Sequence, residues 1–404
     1  MKEQHQKITC LISGLLIMLC VGILYMWSVF QPYVVSEKGW NPGDVAMTSA
    51  LMIACFVLGN ILGGLVQQKV KPRTICIVGS AMFALGMYLT SLLPASSPRL
   101  IYLTYSLISG LGCGFVYCTV LYALQKWFAA QTGLITGLTV SCFGLSVVIL
   151  SPIAEKMLDT LGVSETFRIF ALIFLVVCVL CSLGITQPDP KYYMHEAQKV
   201  LRADEFKQFT PKEMVKTPLY YFLVFSMFLS SAAYLVIIPY IKTIATERSM
   251  STGMALAAVM CTGIASALGR ILAPTISDRF GRTNSIIGCC VISALACLLM
   301  IPATGPLYIL AVFLIAFTYG GTSGINPVIS TELFGAANSG TNYGVAMLAL
   351  GFSSIFFNFV SGSILHATVE NVTSTFVMGA ITAVIPVLLM LYITNYLKKR
   401  SASN

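Results

Sequence analysis

Residues 261–282 read CTGIASALGRILAPTISDRFGR, an apolar stretch that ends in the charged motif Asp278-Arg279-Phe280-Gly281-Arg282. One further charge, Arg270, interrupts the apolar part eight residues before Asp278. Because a helix rises about 1.5 Å per residue, this spacing predicts that Arg270 lies within a membrane helix, roughly 12 Å from its charged end at Asp278. Arginine stays protonated, and its charge at a helix centre is unfavourable by at least about 2.5–3.5 kcal/mol. Arg270 must therefore face the protein interior or water rather than lipid.

The rest of the chain has the same membrane character. Of its 404 residues, 57% are hydrophobic and only 10% are charged, and the mean hydropathy is +0.85. A membrane-spanning helix needs about 20 apolar residues. The sequence contains twelve such runs, at 8–35, 44–66, 74–93, 100–124, 132–153, 164–185, 218–241, 252–276, 284–302, 307–330, 340–365 and 374–397. The first run has a basic flank but no small-residue cleavage site, so we predict a retained helix.

The distribution of lysine and arginine predicts the orientation. If both termini face the cytoplasm, 17 of the 24 basic residues lie inside and six lie outside, and the remaining one is Arg270. This asymmetry agrees with the positive-inside rule. We therefore expect a multi-pass protein of the inner cell membrane, embedded in the lipid bilayer, with both termini cytoplasmic. The net charge of +9 is then a topology signal and gives no indication of a nucleic-acid partner.

A hydrophilic stretch at 187–217 divides the chain into two halves of six predicted helices. We expect an N-terminal six-helix bundle at 1–186, a cytoplasmic linker at 187–217 and a C-terminal six-helix bundle at 218–404. Motifs recur at a constant offset of 207 residues: Pro32-Tyr33 as Pro239-Tyr240, and Gly133, Gly137 and Gly144 as Gly340, Gly344 and Gly351. A shared offset indicates an internal duplication.

This plan resembles the major facilitator superfamily, an all-α membrane fold of twelve transmembrane helices in two pseudo-symmetric six-helix bundles. The resemblance implies a substrate site between the halves near the midplane. Residues 278–282 look like the superfamily's D-R-x-G-R signature, whereas the equivalent first-half loop has Gln68 in place of the acid. We expect Asp278, Arg279 and Arg282 to act as a gating latch. Ordinary positive-inside charge is the alternative interpretation.

Cysteine and histidine indicate neither a metal site nor a cofactor. Thirteen cysteines are scattered through the apolar runs without a Cys-x-x-Cys pair, and the three histidines are far apart at His5, His195 and His366. We predict free thiols. An enzyme would need convergent acids, histidines or a nucleophile–base pair at one depth, and the sequence offers no such set. We therefore expect a protein that is not an enzyme.

The acidic residues indicate what Arg270 binds. All fifteen fall in the predicted termini, loops or helix ends, so the protein supplies a buried cation without its anion. The substrate then brings the anion, and a guanidinium fork matches a carboxylate. Tyr25, Tyr117 and Tyr319 are predicted near the middles of helices one, four and ten, where their hydroxyl groups suit a small anion. Packing is the alternative role for each of the three tyrosines.

The sequence also resembles the oxalate/formate antiporter family, sister to the monocarboxylate transporters. The matching residues span nearly the whole chain: Tyr25-x-Trp27-Ser28-Val29, Gly110-x-Gly112-x-Gly114-x-x-Tyr117, Lys126-Trp127-Phe128, Gly133-Leu134, Arg270 before Asp278, Gly320-Gly321, Pro327, Phe334-Gly335 and Asn342-Tyr343-Gly344. The resemblance implies that Arg270 binds the substrate carboxylate and that Tyr25, Tyr117 and Tyr319 line the site.

The sequence departs from that family at three further candidate site residues. Leu350 stands where the oxalate-exchanging members have a second cation, a lysine, and Ser323 stands where they have a tyrosine. Ser266 stands where proton-coupled monocarboxylate relatives often have an aspartate. One cation suits one carboxylate, because a second carboxylate would be buried without a partner. Leu350 is therefore our candidate for the residue that sets selectivity for charge.

From these features we expect a secondary active transporter of monocarboxylates such as lactate, pyruvate or formate, working by alternating access. Two alternatives stay open, an oxalate:formate-type dicarboxylate exchanger and an anion-sensing transceptor. Coupling to a proton or to a counter-anion is also open. His366, near the end of helix eleven, is the one membrane-end group that titrates near neutrality. We expect a monomer.

Overall fold

The computed structural model describes residues 2–67, 69–189, 208–335, 339–365 and 370–402. These residues form helices and connecting turns, with no β-strand among them. The long helices are α1 Glu3–Lys38, α2 Pro42–Val66, α3 Pro72–Ser91, α4 Tyr102–Trp127, α5 132–161, α6 163–182, α7 Pro218–Glu247, α8 Thr252–Phe280, α9 Arg282–Leu299, α10 Gly305–Phe334, α11 339–365 and α12 Glu370–Ala402. The predicted all-α fold of twelve spanning helices is confirmed.

Helices α5 and α6 follow each other directly within Thr132–Ser182, and the non-helical backbone of Gly162 separates them. At about 1.5 Å per residue this run is more than twice the thickness of a hydrocarbon core of about 30 Å, so it must hold two spans. Gly162 has φ 77° and ψ 177°, a backbone conformation that glycine adopts without strain. Consecutive helices alternate in direction. The end that holds the N-terminus is called the terminal end below, and the opposite one the far end.

The structure corrects the predicted end of α5. The sequence indicated an apolar run that stops near residue 153, with Glu155 and Asp159 in the helix end or loop that follows. In the structure the helix continues to residue 161, and Glu155 is buried. The acid lies inside the protein because Lys242 of α7 pairs with it. The helix is therefore longer than its apolar run, and its last part carries a buried ion pair.

Short irregular segments interrupt several spanning helices. Gly22–Met26 of α1 is a 3-10 turn, and Ile238–Tyr240 of α7 is another. The first of these turns passes very close to α5, because a Cβ at Gly22 would lie 2.1 Å from the carbonyl oxygen of Phe143. Tyr25 lies within this turn, so the close approach places its ring against α5.

The two bundles meet along two helix pairs that the internal duplication relates. Helix α5 packs on α8, where a Cβ at Gly263 would lie 2.8 Å from the carbonyl oxygen of Gly144. Helix α11 packs on α2, where a Cβ at Gly351 would lie 3.5 Å from Cα of Ala54. Gly144 and Gly351 are one of the glycine pairs separated by 207 residues. The repeated glycines therefore mark equivalent contacts between the bundles.

Candidate functional site

Glycines bring α8 and α10 unusually close at the level of Arg270. A Cβ at Gly269 would lie 2.1 Å from the carbonyl oxygen of Phe317, and one at Gly320 would lie 2.2 Å from that of Ser266. Small residues at a helix crossing allow the two backbones to approach closely. This contact fixes the direction in which Arg270 leaves α8 and sets it beside Tyr319 of α10.

The guanidinium of Arg270 is buried and poorly satisfied. The residue is 5% exposed, and its Nη1 donates one long hydrogen bond of 3.4 Å to the carbonyl oxygen of Val140 on α5. Its Nε has no hydrogen-bond partner. Among the described residues no carboxylate forms an ion pair with Arg270. A buried cation without its counter-ion is unfavourable by several kcal/mol.

The structure brings all three predicted tyrosines to Arg270. Its guanidinium carbon lies 5.8 Å from the ring centroid of Tyr25 and 6.0 Å from that of Tyr319. The hydroxyl oxygens of these two tyrosines are 3.3 Å apart, within hydrogen-bonding distance. Since one hydroxyl donates to the other, the second proton remains available to a ligand. Tyr117 is a further neighbour of the Arg270 guanidinium.

Tyr117 is held by two aromatic neighbours. Its ring makes edge contacts with Phe56 and Phe143, with centroids 5.1 Å apart in both cases. Edge-on packing fixes the ring through its apolar body and leaves the polar tip to find another partner. The Tyr117 hydroxyl therefore suits a ligand held at Arg270.

Sequence reasoning missed two further tyrosines around Arg270, Tyr234 of α7 and Tyr343 of α11. The Tyr234 ring stacks on Tyr319 with centroids 4.1 Å apart and planes 13° apart. Both missed residues are neighbours of the Arg270 guanidinium. Their mid-helix positions offered the same signal as the three predicted tyrosines, and Tyr343 already belongs to the Asn342-Tyr343-Gly344 motif.

The remaining predicted residues lie on the same helices around this centre. Ser266 is buried one turn before Arg270 on α8, and Ser323 is half-buried one turn after Tyr319 on α10. Leu350, on α11, packs against the large hydrophobic core that contains Tyr25 and Tyr319. Position 350 therefore supplies an apolar side chain and not a second cation. His366 lies outside the described residues.

The predicted gating residues lie together at the terminal end, between α8, α9 and α10. Arg282 pairs with Asp278 at 2.5 Å and with Glu332 of α10 at 3.0 Å. Arg282 also donates a hydrogen bond to Ser277 Oγ at 2.6 Å, while Arg279 is exposed. In this conformation the motif clamps three helices of the second bundle together. Gln68, in the first-half copy, lies outside the described residues.

The arrangement offers the kinds of groups that bind a small anion. Five tyrosines present polar groups on an apolar cage around one guanidinium fork, as a small carboxylate requires. Among the described residues there is no group of His, Cys, Asp and Glu that could hold a metal ion. The site therefore fits binding and release of an organic anion.

Comparisons with known proteins agree with the fold and with the resemblance stated above. The family model described as Major Facilitator Superfamily matches residues 10–358. The chain is 26% identical over 384 residues to the "Oxalate:formate antiporter" of Oxalobacter formigenes, covering 93% of this chain and 88% of that protein. It is also 26% identical over 355 residues to the "Uncharacterized MFS-type transporter YhjX" of Escherichia coli (strain K12), covering 87% of each.

Two further similarities are more limited in what they show. "Monocarboxylate transporter 2" of Meriones unguiculatus is 29% identical over 188 residues, which cover 46% of this chain and 38% of that protein. A crystal structure of a D-xylose-proton symporter superposes with a TM-score of 0.70 at 17% identity, covering 95% of this chain and 96% of the symporter. At that identity the superposition shows the fold alone.

Proposed function

Because this chain belongs to the major facilitator superfamily and is a transporter rather than an enzyme, we propose that it carries small monocarboxylate anions by alternating access. The substrate class is that of lactate, pyruvate and formate. Arg270 binds the carboxylate, and the tyrosines around it donate hydrogen bonds to its oxygens. The proposal rests on one observation, the buried guanidinium without a carboxylate partner among the described residues.

The preference for one carboxylate rests on Leu350. This apolar side chain is partly buried against the core, so Arg270 is the one cation that the described residues place at the site. A dianion such as oxalate would bring a second charge into a buried site where the described residues place no second cation, which is unfavourable by several kcal/mol. The names of two relatives, an oxalate:formate antiporter and a monocarboxylate transporter, support carboxylate transport in general. An oxalate:formate exchanger is therefore the second candidate.

The proposed orientation places the terminal end in the cytoplasm and the far end outside an inner cell membrane. The basic residues of the sequence support this, because 17 of 24 then face the cytoplasm. We further propose that the protein works as a monomer of two bundles, 1–186 and 218–404, joined by the linker at 187–217. The driving force is a counter-anion or a proton that moves with the substrate.

Counterflow in proteoliposomes tests the proposed substrate class. Vesicles are loaded with unlabelled lactate, pyruvate, formate or oxalate, and uptake of the labelled anion is followed. We expect counterflow with the monocarboxylates and little with oxalate. Oxalate counterflow as fast as that of formate would favour the exchanger. Saturable binding without any counterflow would favour a sensor over a transporter.

Leu350→Lys tests the charge argument within the same assay. An added ammonium on α11 supplies the second cation that a dianion needs, so oxalate affinity should rise relative to formate. The control is Phe352→Lys, two residues further along α11, which adds the same charge at an exposed position on the outside of the bundle. If wild type already prefers oxalate, the one-cation argument is wrong.

A further inference from the structure

Glu155 and Lys242 form an ion pair inside the protein near its far end. Lys242 Nζ donates a hydrogen bond to Glu155 Oε1, and the two residues are only 6% and 8% exposed. Lys242 Nζ also lies 4.9 Å from the ring centroid of Tyr33. Exposed ion pairs contribute little to stability, but loss of one partner of a buried pair leaves an uncompensated charge in the interior. This pair is therefore sensitive to any movement that separates its two helices.

The pair joins the two bundles, because Glu155 lies on α5 of the first and Lys242 on α7 of the second. Each side is anchored within its own bundle. In the first, the Tyr33 hydroxyl donates to Asp159 Oδ1 at 2.6 Å, and Val163 N donates to Glu37 Oε2 at 2.7 Å. In the second, Arg248, just after α7, donates hydrogen bonds to the carbonyl oxygens of Met300 and Ala303 in the turn before α10. When the bundles move apart at the far end, the partners of the pair move with them.

The pair lies on the way from the far end to Arg270. Gly144 of α5 contacts the guanidinium, since a Cβ there would lie 2.8 Å from Arg270 Nη1. Glu155 follows eleven residues later on the same helix, which places it about 16 Å closer to the far end. The pair therefore holds α5 and α7 together between Arg270 and the far end.

We propose that Glu155 and Lys242 form the gate that closes the far end of the transport pathway. Opening the far end separates the two charges and hydrates both, and closing it restores the buried pair. The pair thus stabilises the conformation described here, in which it is intact. The inference needs alternating access between two bundles, but it does not depend on a monocarboxylate being the substrate. It adds a far-end gate to the predicted latch at the terminal end.

A reporter for the gate is available at Ser151. This residue lies one turn before Glu155 on α5, on the same side of the helix and nearer to Arg270. Ser151 is fully buried, and its Oγ has no hydrogen-bond partner. In Ser151→Cys, a membrane-impermeant maleimide can react at position 151 only when the far end opens. Peptide mass spectrometry reads labelling at that position alone, so the thirteen native cysteines can stay.

Glu155→Gln and Lys242→Gln are each combined with Ser151→Cys and labelled without substrate in intact cells and in inside-out vesicles. Each single variant leaves one uncompensated charge in the closed gate, so labelling from the far-end side should accelerate at least about tenfold. The double variant buries no charge and should label more slowly than either single variant. Glu165→Gln, which breaks the exposed pair with Arg168 on α6, is the control and should leave the rate unchanged.

Single variants that label at the wild-type rate would overturn the gate, as would a double variant whose effect is the product of the two single effects. A second measurement covers single variants that do not fold. Glu155→Cys with Lys242→Cys, joined by a short bifunctional thiol reagent, should abolish labelling at position 151, and reductant should restore it. Unchanged labelling of the cross-linked protein also contradicts the gate. Because labelling needs no substrate, a failure of the monocarboxylate proposal leaves this test intact.

Discussion

A guanidinium surrounded by phenol rings keeps its full charge, because arginine stays protonated and a tyrosine hydroxyl is neutral at physiological pH. Tyr25 and Tyr319 face the Arg270 cation with their rings, at 5.8 and 6.0 Å from the ring centroids. Contacts between a cation and a ring contribute about 0.5–2 kcal/mol, less than the cost of burying the charge. The aromatic cage therefore holds the arginine in place, and the proposed carboxylate would neutralise its charge.

The hydroxyl of Tyr117 gives a prediction at this scale. Replacing Tyr117 with Phe keeps the edge contacts to Phe56 and Phe143 but removes one donor. If that donor bonds the carboxylate, substrate affinity should fall by about 1–3 kcal/mol in free energy with little change in thermal stability. Titration of substrate binding on purified protein measures the change. The matched control is Tyr88→Phe, on an exposed tyrosine of α3, and equal affinities for Tyr117→Phe and wild type would assign Tyr117 to packing.

Helix packing decides where the arginine can point. Helices α5 and α8 cross at Gly144 and Gly263, and α8 and α10 cross at Gly269 and Gly320. Each crossing lacks side chains where the backbones approach, so the guanidinium of Arg270 fills the space between three helices. A methyl group at the first crossing would displace it.

Gly144→Ala should therefore impair transport without unfolding the protein. The added Cβ would lie 2.8 Å from Arg270 Nη1, the mobile tip of a long side chain, so the side chain moves rather than the backbone. A misplacement of about 1 Å at a reacting or binding group costs on the order of 100-fold, and we expect at least about a tenfold loss of substrate affinity. Gly137→Ala is the control, two turns away on α5, where no described atom lies within 4 Å of the new Cβ. Similar affinities for the two variants would contradict the role of Gly144.

Much of the fold and the centre of the site could be predicted from the sequence. Apolar runs predict the helices and basic loops predict their orientation, both from composition alone. Arg270 stood out because no acidic residue lies within one or two helical turns of it. Tyr234 and Tyr343 were missed because a mid-helix tyrosine reads the same whether it faces lipid, the core or a cavity. The Glu155–Lys242 pair was missed for another reason, since charges 87 residues apart meet only when the two bundles pack together.

At the scale of the whole molecule, the missing counter-charge should shape the kinetics. The empty carrier reorients with Arg270 uncompensated in a closing site, whereas the loaded carrier reorients with its charge neutralised by the carboxylate. Each 1.4 kcal/mol added to a barrier slows a step about tenfold. Return of the empty carrier should therefore limit net flux.

Efflux from preloaded proteoliposomes measures this limit. Saturating unlabelled anion on the outer side should accelerate efflux of labelled substrate at least several-fold, because the carrier then returns loaded. Phosphate at the same ionic strength serves as the control for a general salt effect. Equal efflux rates with and without unlabelled anion outside the vesicles would contradict the kinetic argument, even if Arg270 proves to bind the substrate.

The most direct test of the central claim is equilibrium binding of labelled lactate, pyruvate and formate to purified wild type and Arg270→Gln. The variant keeps a long polar side chain but removes the charge and the fork. Truncating one partner of a buried charge pair costs about 2–5 kcal/mol, so affinity should fall at least about 30-fold. Arg168→Gln, on a partly exposed arginine of α6, should bind as wild type does. Binding of a monocarboxylate by Arg270→Gln within about twofold of the wild-type affinity would contradict the account.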